Sequence, residues 1–304
     1  MEPDLRELAW PAAVAIAASL AVWMEITVRL RRGRPVLPYE PRRRVPWRWQ
    51  EVLIVLAALL VVEQLVVAAV APWFDLKPAA APPAAADDIE QAHPLVVLLQ
   101  LDHRLGVLLL VLASAVVVAP IAEEFFFRLL LQGWLEAVER QRRRRNPLWH
   151  RVVPGAVPIL ITSLLFGSIH FRFGPPPSDP EVLVFVFATT AIARVLTFGF
   201  AVWLLQSYSG ATASDFGFVP SKLLGDVGLG LAACLAIVPL LYAVQFALLG
   251  LMPDLRLVDP VSLTLFAAVL GTLYYRTHRL VPAIVLHMGL NATSVALAWW
   301  YFGG

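Results

Sequence analysis

Two carboxylates and two imidazoles stand in stretches of this chain otherwise built from Val, Leu, Ile, Ala and Phe. Glu123 and Glu124 fall in Pro120-Ile-Ala-Glu-Glu-Phe-Phe-Phe-Arg128, His170 closes Phe166-Gly-Ser-Ile-His170, and His287 precedes Asn291 in His287-Met-Gly-Leu-Asn291. An ionisable group at bilayer depth costs about 3 kcal/mol or more unless it is paired, hydrated or functional. Arg128 lies four residues after Glu124 and can pair with it along one helical face. Glu123 points about 100° away from Glu124 and is therefore expected to stay free. A neutralised acid beside a free one is the arrangement a general base needs. Pro120 suits the first turn of a helix, and two acids near that start are favoured by the helix dipole.

Phe166 and His170 share a helical face, and Gly167 between them would let a neighbouring helix approach closely. His287 and Asn291 also share a face at i, i+4. The remaining histidines are less suggestive: His93, His150 and His278 lie in or beside loops, and His103 sits between Asp102 and Arg104. Taken singly, these groups could be an interfacial Glu-Arg pair and polar glue between helices. Together, a carboxylate, two imidazoles and a carboxamide from three helices could form a water-activating hydrolytic site. The same donors also allow a three-ligand zinc site of Glu123, His170 and His287 with one open position. No HExxH pair is present, so a zincin arrangement is not expected.

The elements that must position these groups follow from composition. Of 304 residues, 59% are apolar and 15% charged, with a mean hydropathy of +0.73, which excludes a soluble enzyme and a disordered regulator. The single cysteine, Cys234, excludes a disulfide scaffold. Apolar segments run at about 8 to 30, 52 to 73, 95 to 119, 121 to 138, 152 to 171, 182 to 206, 226 to 252, 261 to 275 and 280 to 302. At about 20 residues per crossing this predicts an all-α, polytopic transmembrane bundle of about eight spans, read as one domain over 1–304. The first segment is too long for a signal peptide and is expected to be retained. Arg31 to Arg48 and Arg140 to Arg151 are arginine-rich and ask for the cytoplasm. Between them lies an acidic, Pro-rich linker at 74–93. The run Arg142 to Arg145 is read as a solvated, topology-setting loop, not as a nucleic-acid site. Three apolar segments separate the two basic loops, so both can share one side only if one segment fails to cross.

The combination resembles the CPBP intramembrane proteases, also called the type II CAAX prenyl endopeptidase or ABI family. Its ordered elements EExxxR, FxxxH and HxxxN/D correspond here to Glu123-Glu124 with Arg128, Phe166 with His170, and His287 with Asn291. The resemblance covers about 105–172 and 261–295 as the protease core. It implies an intramembrane endopeptidase in which Glu123 and His170 activate water and His287 and Asn291 stabilise the oxyanion. Glu124, Arg128 and Phe166 would support them. No cofactor is certain, and zinc is the one metal to consider. The partners implied are the lipid bilayer and a membrane-associated peptide or protein substrate, with no nucleic acid, in a bacterial plasma membrane. In the family the site opens to the cytosol, whereas the positive-inside rule puts the run Arg142 to Arg145, which falls on the face opposite Glu123 and His170, in the cytoplasm, so the orientation is left open. Residues 181–260 lengthen the spacing between the last two elements and are read as an inserted or transposed helix pair, expected to pack outside the site. A catalytically silent scaffold of the same fold is the alternative, and a proton-coupled transporter a further one. The transporter would be expected to show an inverted repeat, and none is visible.

Overall fold

A computed structural model describes residues 5–41, 45–74, 94–171, 177, 179–251 and 258–302. Among them the chain is helical, with short turns and no strand. The helices are α1 (Leu5–Arg31), α2 (Trp49–Val70), the short α3 (Pro94–Leu101), α4 (Leu105–Arg145), α5 (Ala156–Ile169), α6 (Pro180–Ser209), α7 (Leu223–Leu251), α8 (Val258–Thr277) and α9 (Leu280–Phe302). Six of these, α1, α2, α4, α6, α7 and α9, are long and apolar enough to cross a membrane. α5 and α8 pack against each other and complete a bundle consistent with the expected number of spans. Their contact is close at Gly167, where any Cβ would collide with the Thr264 side chain and the Pro260 carbonyl. The protein is an integral membrane protein.

One expected boundary is absent. The apolar segments 95–119 and 121–138 were separated at Pro120, yet α4 runs through it as a single helix of 41 residues. The reason lies in the preceding turns. A proline inside an α-helix lacks the N–H for its own bond and its ring collides with the carbonyl four residues back. Here the backbone opens into a π-helical stretch over Leu112–Val118, and the Ala119 N–H bonds Ser114 O five residues back. The wider turn accommodates the ring and keeps the helix intact. It also leaves Ala115 O facing the residue that has no N–H. Asn291 Nδ2 donates to that carbonyl at 2.7 Å and so pins α9 to α4.

This continuity resolves the placement of the arginines. α3 is only 8 residues long, so the chain between the two basic loops crosses once along α2 and returns along α4. Both arginine-rich segments then lie at one end of the bundle, and the run Arg142–Arg145, expected as a solvated loop, is instead the last turn of α4, with Arg143 bonded to Glu139, Trp149 O and Val152 O. There Trp47 Nε1 bonds Leu130 O at 3.2 Å, Glu40 N–H bonds Arg276 O at 2.9 Å, and the ring of Tyr275 covers Gly155. Arg42, Arg43, Arg44 and residues 75–93, which include His93 and all of the acidic linker but Phe74, lie outside the described residues.

A charged clasp closes this arginine-rich end. Lys222 Nζ donates to Glu40 Oε1 at 2.7 Å, and Arg279 Nη1 lies 3.6 Å from the same carboxylate and 3.1 Å from Asp226. The Lys222 hydrogen bond, helped by the Arg279 charge and opposed by partial burial, holds the Glu40 carboxyl below its ordinary range. A lowered folded-state value stabilises above the unfolded pKa, and the gain is lost as pH falls through the folded one. The Glu40→Gln protein should therefore melt slightly lower than the parent at pH 7 in detergent, with the difference starting to shrink as pH falls below about 4.3 and vanishing once pH is below the lowered folded-state value. A pH-independent difference would show that the carboxylate's charge plays no part.

Candidate functional site

Midway along α4, Glu124 and Arg128 are fully buried, and Arg128 Nε donates to Glu124 Oε2 at 3.2 Å. The i, i+4 pairing read from the sequence is therefore present. Arg128 Nη1 also donates to Thr162 Oγ1 of α5 at 3.3 Å, and its guanidinium lies 5.7 Å from the Phe166 ring centre. The second Glu124 oxygen is engaged by α9, since His287 Nδ1 lies 2.9 Å from Glu124 Oε1. An ionised carboxylate only accepts, so Nδ1 carries the proton in this contact and Nε2 is left to face outward. It faces Glu123: His287 Nε2 is 3.9 Å from Glu123 Oε2. That separation is too long for a direct hydrogen bond and short enough for one water to touch both atoms.

The structure corrects the expectation that Glu123 is unneutralised. Arg194 of α6 places Nη2 3.0 Å from Glu123 Oε1. The sequence did carry a signal, because Arg194 is an isolated cation near the middle of the apolar helix Pro180–Ser209. The same contact corrects the expectation that 181–260 packs outside the site. α6 lies against α4 and against α2, and α7 packs on α9.

His170 and Asn291 are placed less directly. His170 caps α5, its Nδ1 lies 2.7 Å from Phe166 O, and its ring stacks on Phe166 with centres 4.6 Å apart. A carbonyl only accepts, so Nδ1 is again the protonated nitrogen and Nε2 is left over. The buried Phe166 ring also approaches His287, at 5.8 Å between centres, so it touches both imidazoles. Among the described residues no hydrogen bond or ion pair joins His170 to Glu123. Asn291, one turn beyond His287, spends one amide N–H on Ala115 O. Glu123, Glu124, Arg128, Phe166 and His287 are thus brought into one cluster, His170 joins it through Phe166, and Asn291 bonds α4.

As arranged, these donors do not fit a zinc ion. Among the described residues no group of three or more His, Cys, Asp or Glu is close enough to hold one, one Glu123 oxygen meets Arg194, and His287 Nδ1 meets Glu124. What the arrangement offers is a carboxylate with one oxygen turned toward an imidazole nitrogen, a fixed tautomer at that imidazole, and a nearby guanidinium, all in an apolar enclosure where electrostatic effects are strong.

Residues 105–213 and 217–293 match the family model described as Type II CAAX prenyl endopeptidase Rce1-like. The chain belongs to this family. No curated protein and no solved structure matches it. Membership places this Rce1-like chain among the CAAX-protease-like intramembrane proteases and suggests a membrane-associated substrate. The matched stretch includes most of 181–260, so α6, with Arg194, lies inside the Rce1-like region.

Proposed function

We propose that the protein is an endopeptidase that hydrolyses peptide bonds of membrane-associated substrates with a water activated at Glu123. The observation that carries this reading is the 3.9 Å approach of His287 Nε2 to Glu123 Oε2, with His287 oriented from behind by the buried Glu124 and Arg128 pair. In this mechanism Glu123 takes a proton from water as the oxygen adds to the scissile carbonyl carbon, then returns it to the leaving amine as the C–N bond breaks. His287 holds the water against Glu123, and His170 Nε2 meets the substrate from beyond Phe166. Asn291, through its second amide N–H, and Arg194, through donors not used on Glu123, border the developing oxyanion. By the positive-inside rule the arginine-rich end is cytoplasmic, which turns the end carrying Glu123 and His170 to the side opposite the one the family resemblance implied.

A catalytically silent membrane scaffold is the second reading, favoured by one observation: Glu123 already has a cation partner in Arg194. The two are separated by incubating the purified protein in detergent with a library of peptides, with and without chelator, and sequencing the products by mass spectrometry. Defined cleavage products that persist in chelator are expected. An intact library under all conditions would leave the scaffold.

A further inference from the structure

Hydrolysis inside a bundle of apolar helices consumes one water per bond cut, and that water must reach the site. One face of α4 carries a polar residue at every fourth position from the site to the arginine-rich end: Glu124, Arg128, Gln132, Glu136 and Arg140. On a regular α-helix a four-residue step drifts by about 40°, so three steps would turn Glu136 about 120° away from Glu124. The second π-helical stretch of α4, Phe125–Gln132, has wider turns and drifts in the opposite sense. The file accordingly stays inside the protein: Glu124, Arg128 and Gln132 are fully buried and Glu136 is 2% exposed.

The file is connected at both ends and open in the middle. At the site end Arg128 bonds Glu124. At the other end Gln132 Nε2 donates to Glu136 Oε1 at 3.1 Å and to Gly271 O at 2.9 Å. Glu136 Oε2 lies 3.3 Å from His278 Nε2 and 3.9 Å from Arg140 Nη1, and the Arg140 side chain is 34% exposed. In between, Arg128 Nη2 and Gln132 Oε1 are both buried without a hydrogen-bond partner among the described residues, as is Arg140 Nη2 further along. One of the middle pair is a donor and the other an acceptor. Both side chains border Gly271 of α8, where a Cβ would come within 3.0 Å of Gln132 Oε1 and 3.4 Å of Arg128 Nη1. A glycine at this place leaves room that any other residue would fill, and a small polar space with complementary donor and acceptor is where proteins hold internal water.

We propose that this file is the water route of the site, with an ordered water beside Gly271 linking Arg128 Nη2 to Gln132 Oε1 and the route emptying at Arg140 on the arginine-rich face. The proposal rests on the hydrolytic reading above. It assigns Gln132, Glu136 and Gly271 a positioning role for water, distinct from the groups that meet substrate. It also lets water arrive from the cytoplasmic end while the peptide enters from the bilayer.

The test has two arms. In an experimental density map of the parent in lipid nanodiscs at a resolution that shows waters, density is expected within hydrogen-bond distance of both Arg128 Nη2 and Gln132 Oε1. A direct contact between these side chains, with no density between them, would overturn the proposal. In the second arm, Gln132→Leu and Gly271→Ala should each lower kcat about tenfold with KM unchanged, while Gln132→Asn restores most of the loss. Melting temperatures select variants that remain folded, and Gly271→Ala serves if Gln132→Leu does not. Parent-like kcat in the folded variants would also overturn the proposal. An inactive parent would instead defeat the hydrolytic reading, and the density map would still decide the water.

Discussion

Glu123→Gln should lower kcat/KM on any cleaved peptide by about 10²- to 10⁴-fold, the range that removal of a general base produces. The amide keeps the size of the carboxylate and can still accept a hydrogen bond from Arg194, so the fold should survive. The Glu123 side chain is 12% exposed and that of Arg194 29%, so the guanidinium keeps contact with solvent when the charge of its partner is removed, and the melting curve should shift without collapsing. The measurement is the rate of product formation alongside a melting curve in the same detergent. Parent-like turnover would remove Glu123 from the chemistry, and a collapsed melting curve would make its role structural.

The second large effect belongs to the pair behind it. Glu124→Ala should destabilise the protein by about 3 to 5 kcal/mol, because it leaves a guanidinium enclosed without its carboxylate. Arg128→Ala should cost less, since Glu124 keeps His287 at 2.9 Å. The double variant Glu124→Leu, Arg128→Met replaces the ion pair by apolar groups of similar volume and should recover most of the lost stability. It should not recover activity, because His287 then has no acceptor to fix its Nδ1 proton. Denaturation curves and turnover on one set of samples check both statements. Restored activity in the double variant would show that His287 needs no orientation from Glu124.

Much of the site was legible in the sequence because bilayer depth makes each polar residue conspicuous. Glu123, Glu124, Arg128, His170, His287 and Asn291 stand out for that reason, and the Glu124 to Arg128 spacing foretells their contact. Gly167 likewise announces the close approach of α5 and α8. What was not legible depends on which helices become neighbours. Arg194 is as conspicuous as Glu123, but nothing in its own segment says that α6 will lie on α4. Pro120 reads as a helix start, and the π-helical stretch that carries α4 through it leaves no mark in hydrophobic periodicity. That misreading split one crossing into two and made the arginine-rich loops seem to conflict. Asn291 stands out in its segment, but its bond to the carbonyl that Pro120 leaves without a donor depends on α9 lying against α4.

The central claim is that Glu123 and His287 act on one water at one site, and a double-mutant cycle between them tests it most directly. Rates should be measured for the parent, Glu123→Gln, His287→Ala and the double variant on the same peptide. Two groups serving a single step are strongly non-additive, so the double variant should be no slower than the slower single one. Losses that multiply in the double variant would mean that the two residues act independently, and the water shared between Glu123 Oε2 and His287 Nε2 would have to be abandoned.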